Sequence, residues 1–189
     1  MLSKVTKTEL RKRLKQMRAS FSPEQVTASS EQVARHILAC DAYRKAKCVM
    51  GYLAFGKELS VDAVLMQAIA ENKTVLVPLV VSATEIVPVC LKDMEHFELD
   101  RFGIRSVSQP AEQISASEVD LILVPGVAFG RDGSRLGMGA GYYDRFLPQA
   151  EKATFMGIAY EALLQEKLPR DEYDVCMQLL VSESGITTL

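Results

Sequence analysis

Residues 124–147 read VPGVAFGRDGSRLGMGAGYYDRFL and hold six of the chain's eleven glycines. The stretch follows an apolar run, Leu121 to Val124, that is short, bounded by Pro125 and Gly126, and reads as a buried strand. After Gly141 come Tyr142, Tyr143, Asp144, Arg145, Phe146 and Leu147, closed by Pro148, which suits one or two turns of helix starting near Gly139. A strand therefore feeds a glycine loop at the point where a helix N-terminus would aim free N–H groups. Glycines at 137, 139 and 141 are expected to adopt positive φ and let the backbone approach a ligand, and N–H groups gathered in this way form an anion cradle. Arg135 adds a full positive charge. No G-K-[ST] closes the loop as in a Walker A, and Tyr142 stands where the third glycine of G-x-G-x-x-G belongs.

Upstream, Thr6 to Phe21 has good helix formers with Leu10, Leu14 and Met17 on one face. Ser22 and Pro23 open a second helix with N-cap and N1 chemistry, and Val26, Val33, Ile37 and Leu38 form its buried stripe. Cys48 to Leu53 reads as a strand, with a loop at its carboxyl end where ligands bind in open α/β sheets. A helix from about Ser60 to Glu71, strands at Thr74 to Leu79 and Glu85 to Leu91, a strand at Thr154 to Ala159 and a helix-like run from Glu161 to Leu168 follow. This alternation after two leading helices predicts an α/β fold: a single three-layer α/β/α sandwich, residues 1–189, with a mostly parallel sheet.

Composition narrows the function. The formal charge of −2 on 189 residues shows no basic excess of the kind a nucleic-acid binder carries. Positive charge gathers instead in the first eighteen residues, where Lys4, Lys7, Arg11, Lys12, Arg13, Lys15 and Arg18 meet one acid, Glu9. Cys40, Cys48, Cys90 and Cys176 form no C-x-x-C, and with His36 and His96 alone beside them a zinc or iron–sulfur site has no support. No apolar run approaches the roughly twenty residues of a membrane span. The expectation is a cytoplasmic protein with free thiols, a monomer or weak dimer, with neither nucleic acid nor membrane as partner.

The glycine stretch resembles the signature of the 5-formyltetrahydrofolate cyclo-ligase (methenyltetrahydrofolate synthetase) family, P-G-x-x-F-D-x-x-G-x-R-L-G-x-G-x-G-Y-Y-D. The matching positions are Pro125, Gly126, Phe129, Gly133, Arg135, Leu136, Gly137, Gly139, Gly141, Tyr142, Tyr143 and Asp144, and one position departs, Gly130 standing where the family usually has aspartate. Lys7-Thr8-Glu9-Leu10-Arg11 is similar to the family's amino-terminal K-x-x-L-R, and lysine and arginine four apart share a helix face. Phe102, Gly103, Ile104 and Pro110 look like its central F-G-I segment, read as a wall of the pocket or as an ordinary connecting loop. Pro169 to Asp174 resembles its P-x-x-E-x-D, with Tyr173 where many relatives have histidine.

The resemblance implies an ATP-dependent closure of 5-formyltetrahydrofolate to 5,10-methenyltetrahydrofolate with Mg²⁺ as cofactor and ATP as co-substrate. It implies Lys7, Thr8, Glu9, Leu10, Arg11 and Arg135 to Tyr143 (Leu136, Gly137, Met138, Gly139, Ala140, Gly141, Tyr142) around the nucleotide. Leu53, Glu58 and Met138 to Tyr142 fall to the folate, Asp144 and Asp174 to the metal, and Arg135 and Tyr143 to catalysis. Taken without the resemblance, Glu58 is equally an acid near a helix start and Asp174 a loop-capping acid. Two other readings stay open: a nucleotide-dependent folate-binding or regulatory protein without turnover, for which Gly130 argues, and a sugar-phosphate isomerase or CoA-transferase-like enzyme of related architecture.

Overall fold

The computed structural model describes residues 6–99 and 103–189; Phe102, read above as pocket wall or connecting loop, lies outside them. The two leading helices begin where their caps dictate. In α1 (Lys7–Ala19), Thr6 Oγ1 accepts the N–H of Glu9 and the Glu9 carboxylate accepts the N–H of Thr6. In α2 (Pro23–Ala39), Ser22 and Gln25 make the same reciprocal pair ahead of a proline at the first turn. Each box satisfies two N–H groups that a helix start otherwise leaves free.

A short α3 (Asp41–Lys45) leads into β1 (Cys48–Met50), followed by α4 (Asp62–Ala70), β2 (Thr74–Val80) and β3 (Ile86–Cys90). Then come β4 (Phe97–Leu99), β5 (Arg105–Val107), β6 (Leu121–Val124), β7 (Ala128–Phe129), β8 (Arg135–Leu136), α5 (Tyr142–Phe146), β9 (Thr154–Ile158), β10 (Leu179–Ser182) and β11 (Gly185–Thr188). Among the described residues, seven strands form one sheet in the order β11-β10-β9-β6-β1-β2-β3. Its inner pairs are parallel, and β3 and β11 turn back antiparallel at the two edges. β4 pairs with β5 and β7 with β8 in separate hairpins.

The period-2 alternation of β6 splits the core. Leu121 and Leu123 join the cluster that holds Leu10 and Leu14 of α1, Val33 and Ile37 of α2, and Val64 and Leu65 of α4. Ile122 and Val124 join the opposite cluster with Phe129, Phe146, Leu147 and Ala150. Three layers are thus present but unequal. Full helices cover one face; the other is covered by α5, a following 3-10 turn and loops.

Several local expectations give way to longer-range bonding. The strand expected to reach Leu53 pairs only to Met50, with one further bond from Gly51 N to Leu76 O at 2.9 Å. The run from Glu161 to Leu168 makes a single 3-10 turn, Glu161–Leu163. Its next amides are recruited elsewhere: Gln165 N donates to Phe129 O and Arg131 N donates to Gln165 O, at 2.9 and 2.8 Å. Met17, expected in the apolar stripe of α1, is 42% exposed, and Arg18 takes the inward position at 8%.

Candidate active site

β1 has β2 on one side and β6 on the other, so the chain reverses its winding between β1 and β6. The carboxyl ends of such neighbours leave a crevice, the usual ligand position in open α/β sheets. From β1 issues the loop carrying Glu58, and from β6 issue Pro125, Gly126 and the glycine stretch. A cleft of about 320 Å³ lies there, bordered by Lys7, Arg11, Glu58, Arg135, Asp144, Asp171 and Asp174 and by residues 136–143.

Lys7 and Arg11 reach it because α1 is held by its apolar stripe. Leu10 and Leu14 are 6% and 1% exposed, and each buried leucine contributes about 1.5–3 kcal/mol. Positions 7, 11, 14 and 18 share a face by their 4, 3, 4 spacing, which turns both cations toward the glycine stretch. Arg11 Nε donates to Gly137 O at 2.8 Å. Lys7 donates to Asp171 at 2.7 Å and also to Asp174.

Arg135 is anchored as the first residue of β8, whose partner β7 runs antiparallel. Its Nη2 donates to Asp144 Oδ1 at 2.7 Å and its guanidinium lies 5.6 Å from the Tyr143 ring centre. Among the described residues, Arg135 Nε and Tyr143 OH are the buried side-chain polar atoms without a hydrogen-bond partner. Such atoms are rare in folded proteins, and a water, an ion or a ligand can complete their bonding. Burial raises the Tyr143 pKa, with Glu58 adding to the rise and Arg135 opposing it, so the phenol stays protonated and can donate.

The glycines serve different ends. Gly139 and Gly141 have φ of +113° and +70°, outside the range side chains adopt easily. Gly137, expected to share that conformation, does not have a positive φ. It supplies room instead, since a Cβ there would stand 2.9 Å from Arg135 Nη1. The helix expected from near Gly139 starts at Tyr142, with Gly141 as its cap. Arg145 fixes that start, donating to Ala140 O and Thr84 O, both at 2.6 Å.

Glu58 is not the cap of α4, which has Val61 there and no side-chain cap bond. Its carboxylate accepts the N–H of Phe55 at 3.1 Å and sits 3.7 Å from Arg18 Nη1. Burial raises its pKa, against the Phe55 bond and the charges of Arg18 and Lys15. Asp174 accepts the N–H of Asp171 at 2.7 Å and also faces the cleft, so the loop-capping and cleft-lining readings hold together. Burial opposes its ionisation, yet the Lys7 bond, the Asp171 N–H and the charges of Lys7 and Arg135 keep its pKa below the ordinary range.

A family model described as the 5-formyltetrahydrofolate cyclo-ligase family matches residues 3–183. The chain belongs to the 5-formyltetrahydrofolate cyclo-ligase family. A cyclo-ligase of Mycolicibacterium smegmatis is 31% identical over 197 residues, covering 100% of both chains. One from Haemophilus influenzae is 29% identical over 172 residues, 88% of this chain and 92% of its own. The solution structure of Aquifex aeolicus 5,10-methenyltetrahydrofolate synthetase superposes with a TM-score of 0.86 at 32% identity, covering 97% of this chain and 93% of that one.

Within this cyclo-ligase-family cleft, most residues singled out from sequence come together, from Lys7 and Arg11 to Glu58, Met138, Tyr142, Asp144 and Asp174. Thr8, Glu9, Leu10 and Leu53 do not border it. Glu9 is spent in the α1 capping box, and Leu10 and Leu53 are in the core. Arg18 was missed as a site neighbour: it donates to Gly126 O at 3.2 Å and faces Glu58. Its place four residues after Leu14, inside the apolar stripe, was the available signal. Among the described residues no three His, Cys, Asp or Glu side chains gather as a metal site. Asp144 and Asp174 are nonetheless hard oxygen donors on one cleft, a set Mg²⁺ accepts when waters and substrate phosphates complete its shell.

Proposed function

We propose that this enzyme converts 5-formyltetrahydrofolate and ATP, with Mg²⁺, into 5,10-methenyltetrahydrofolate, ADP and phosphate. The observation that carries the reading is the meeting of Lys7, Arg11 and Arg135 with glycines 137, 139 and 141 on one cleft that also holds the carboxylates of Glu58, Asp144, Asp171 and Asp174. A formamide oxygen leaves poorly as hydroxide. In the proposed path the formyl oxygen attacks the γ-phosphorus and ADP departs; N10 of the folate then attacks the activated carbon and loses its proton. Phosphate leaves with the former formyl oxygen, completing the amidinium ring.

Phosphoryl transfer is driven by positioning and electrostatics rather than by a protein nucleophile. Lys7, Arg11 and Arg135 are assigned to the phosphates and the Gly137 to Gly141 backbone to close approach. Arg135 and Tyr143 face the transferred group, the arginine as a charge and the phenol as a donor. Glu58 is assigned to the pterin N–H donors, a task suited to an acceptor-only carboxylate. Asp144 and Asp174 would hold Mg²⁺, which when bound neutralises phosphate charge. The cytoplasm is taken as the place of action.

The test is to mix protein, MgATP and 5-formyltetrahydrofolate and follow the near-ultraviolet band of the methenyl product. An ATP-dependent band is expected. Saturable nucleotide binding without a band would leave the non-catalytic folate-binding reading, and turnover of folate without ATP would refute the phosphorylated path.

A further inference from the structure

Position 130 is where this chain leaves the sequence pattern it otherwise follows, with glycine in place of aspartate. Its φ is not in the left-handed region, so the backbone does not require glycine there. Space does. A Cβ on residue 130 would collide with Ser134 Oγ and Asp132 Oδ1, which already fill the volume from which that side chain would grow.

From this position the Asp132 carboxylate accepts the N–H of Ser134 at 3.1 Å and also its hydroxyl. With that proton committed, Ser134 Oγ accepts the N–H of Leu168 at 3.1 Å. Ser134 is 1% exposed, a depth at which an unmet hydroxyl or amide is costly. The relay therefore joins the β7–β8 turn to the segment that continues into Asp171 and Asp174. Main-chain bonds reinforce the join on either side, from Gln165 N to Phe129 O and from Met177 N to Gly133 O, both at 2.9 Å. One end of the relay immediately precedes Arg135, and the other leads six residues on to Asp174, so the two walls of the cleft are set relative to each other here.

We propose that Asp132 is a positioning residue for the phosphate end of the cleft, supplying from two residues downstream the carboxylate that the family pattern places at 130. Carboxylates at 130 and 132 are alternatives for one space, and glycine at 130 is the consequence of using the second. The departure at 130 then leaves the site intact. The catalytic readout rests on the cyclo-ligase reading above; the exchange of carboxylates does not.

Four proteins test it: the parent, Asp132→Gly, Gly130→Asp and the double variant Gly130→Asp/Asp132→Gly, each measured for kcat and KM with MgATP and for thermal midpoint. Loss of the relay should lower kcat/KM for MgATP in Asp132→Gly by up to about 100-fold, as small displacements of charge clamps do. Gly130→Asp alone should also fall, because two carboxylates then compete. The double variant clears Asp132 Oδ1 and leaves only the Ser134 hydroxyl, one rotatable bond from its backbone, to turn aside, so it should recover most of both the activity and the midpoint. A double variant no better than Asp132→Gly, or an Asp132→Gly variant that keeps parental kinetics, overturns the proposal. If the parent itself gives no methenyl band, the reaction assigned above fails, and loss and recovery of the midpoints across the same four proteins still decides the exchange.

Discussion

Arg135 holds Asp144 through Nη2 at 2.7 Å while its buried Nε has no hydrogen-bond partner. The guanidinium is thus fixed by one carboxylate and retains an unused donor at a cleft-lining position. A guanidinium anchored in this way keeps its full charge and a spare N–H donor at the cleft, which suits it to phosphate oxygens. Arg135→Ala should reduce turnover by on the order of 10³-fold or more, the scale of arginine loss in phosphoryl transfer, with the far-ultraviolet dichroism unchanged. Arg135→Lys, which keeps charge but not the guanidinium, should recover only a small part. A lysine variant near parental kcat would show that charge alone suffices.

A second pair carries the metal question. Lys7 and Asp174 lie 167 residues apart in the chain and are bonded across the cleft, with Asp171 as a second acceptor of the same ammonium, so Lys7 offsets these carboxylates until a ligand brings its own charges. Phosphate would draw Lys7 and Mg²⁺ would draw Asp174, which couples the two binding events. Asp174→Asn should weaken the Mg²⁺ dependence of nucleotide affinity, Asp144 retaining part of it, and Lys7→Ala should weaken nucleotide binding while preserving the Mg²⁺ effect. Titration calorimetry with and without Mg²⁺ separates these outcomes. Equal Mg²⁺ dependence in Asp174→Asn and the parent would remove Asp174 from the metal set.

Much of this arrangement was legible because its signals are local. Ser22-Pro23 announces a helix start, Leu121 to Val124 announces a buried strand, and the glycine spacing with Arg135 announces the loop that lines the cleft. The parts that stayed hidden are those whose partners are distant. β7 and β8 are two residues long, too short to show an alternating pattern, and they exist because residues 128 and 136 meet in space. The run from Glu161 to Leu168 has helical composition, but its amides are claimed by Phe129 and Ser134. Arg18 reads as one more cation of a basic helix until Gly126 and Glu58 are found beside it. The β10–β11 hairpin is different: Leu179 to Val181, a short turn with Gly185, and Ile186 to Thr188 carry an ordinary hairpin signal, and it was simply passed over.

Gly137 and Gly139 predict opposite failures. Gly137→Ala places a methyl against the Arg135 guanidinium without backbone strain, so kcat should fall while the thermal midpoint stays near the parent's. Gly139→Ala meets no atom closer than 3.7 Å but forces a side chain onto a φ of +113°, which costs about 1–3 kcal/mol of stability. Thermal melts together with kcat for both variants check this. A Gly137→Ala protein that melts early with normal kcat would reverse the assignment.

Glu58 gives the pH dependence. Its folded pKa is raised by burial, against the Phe55 N–H and the Arg18 and Lys15 charges, so the folded protein keeps a proton that the unfolded chain has already released at its ordinary value of about 4.3. Stability therefore declines as pH rises from that value to the folded pKa, and the decline is complete above it. Glu58→Gln should flatten this part of the profile. Ligand recognition should run the other way, because only the ionised carboxylate accepts from two pterin N–H groups. The KM for 5-formyltetrahydrofolate should rise as pH falls through the folded pKa in the parent, and should be high and flat in Glu58→Gln. Urea unfolding and folate KM measured over the same acidic range test both signs. A Glu58→Gln enzyme whose folate KM matches the parent's near neutral pH would take Glu58 out of the folate site.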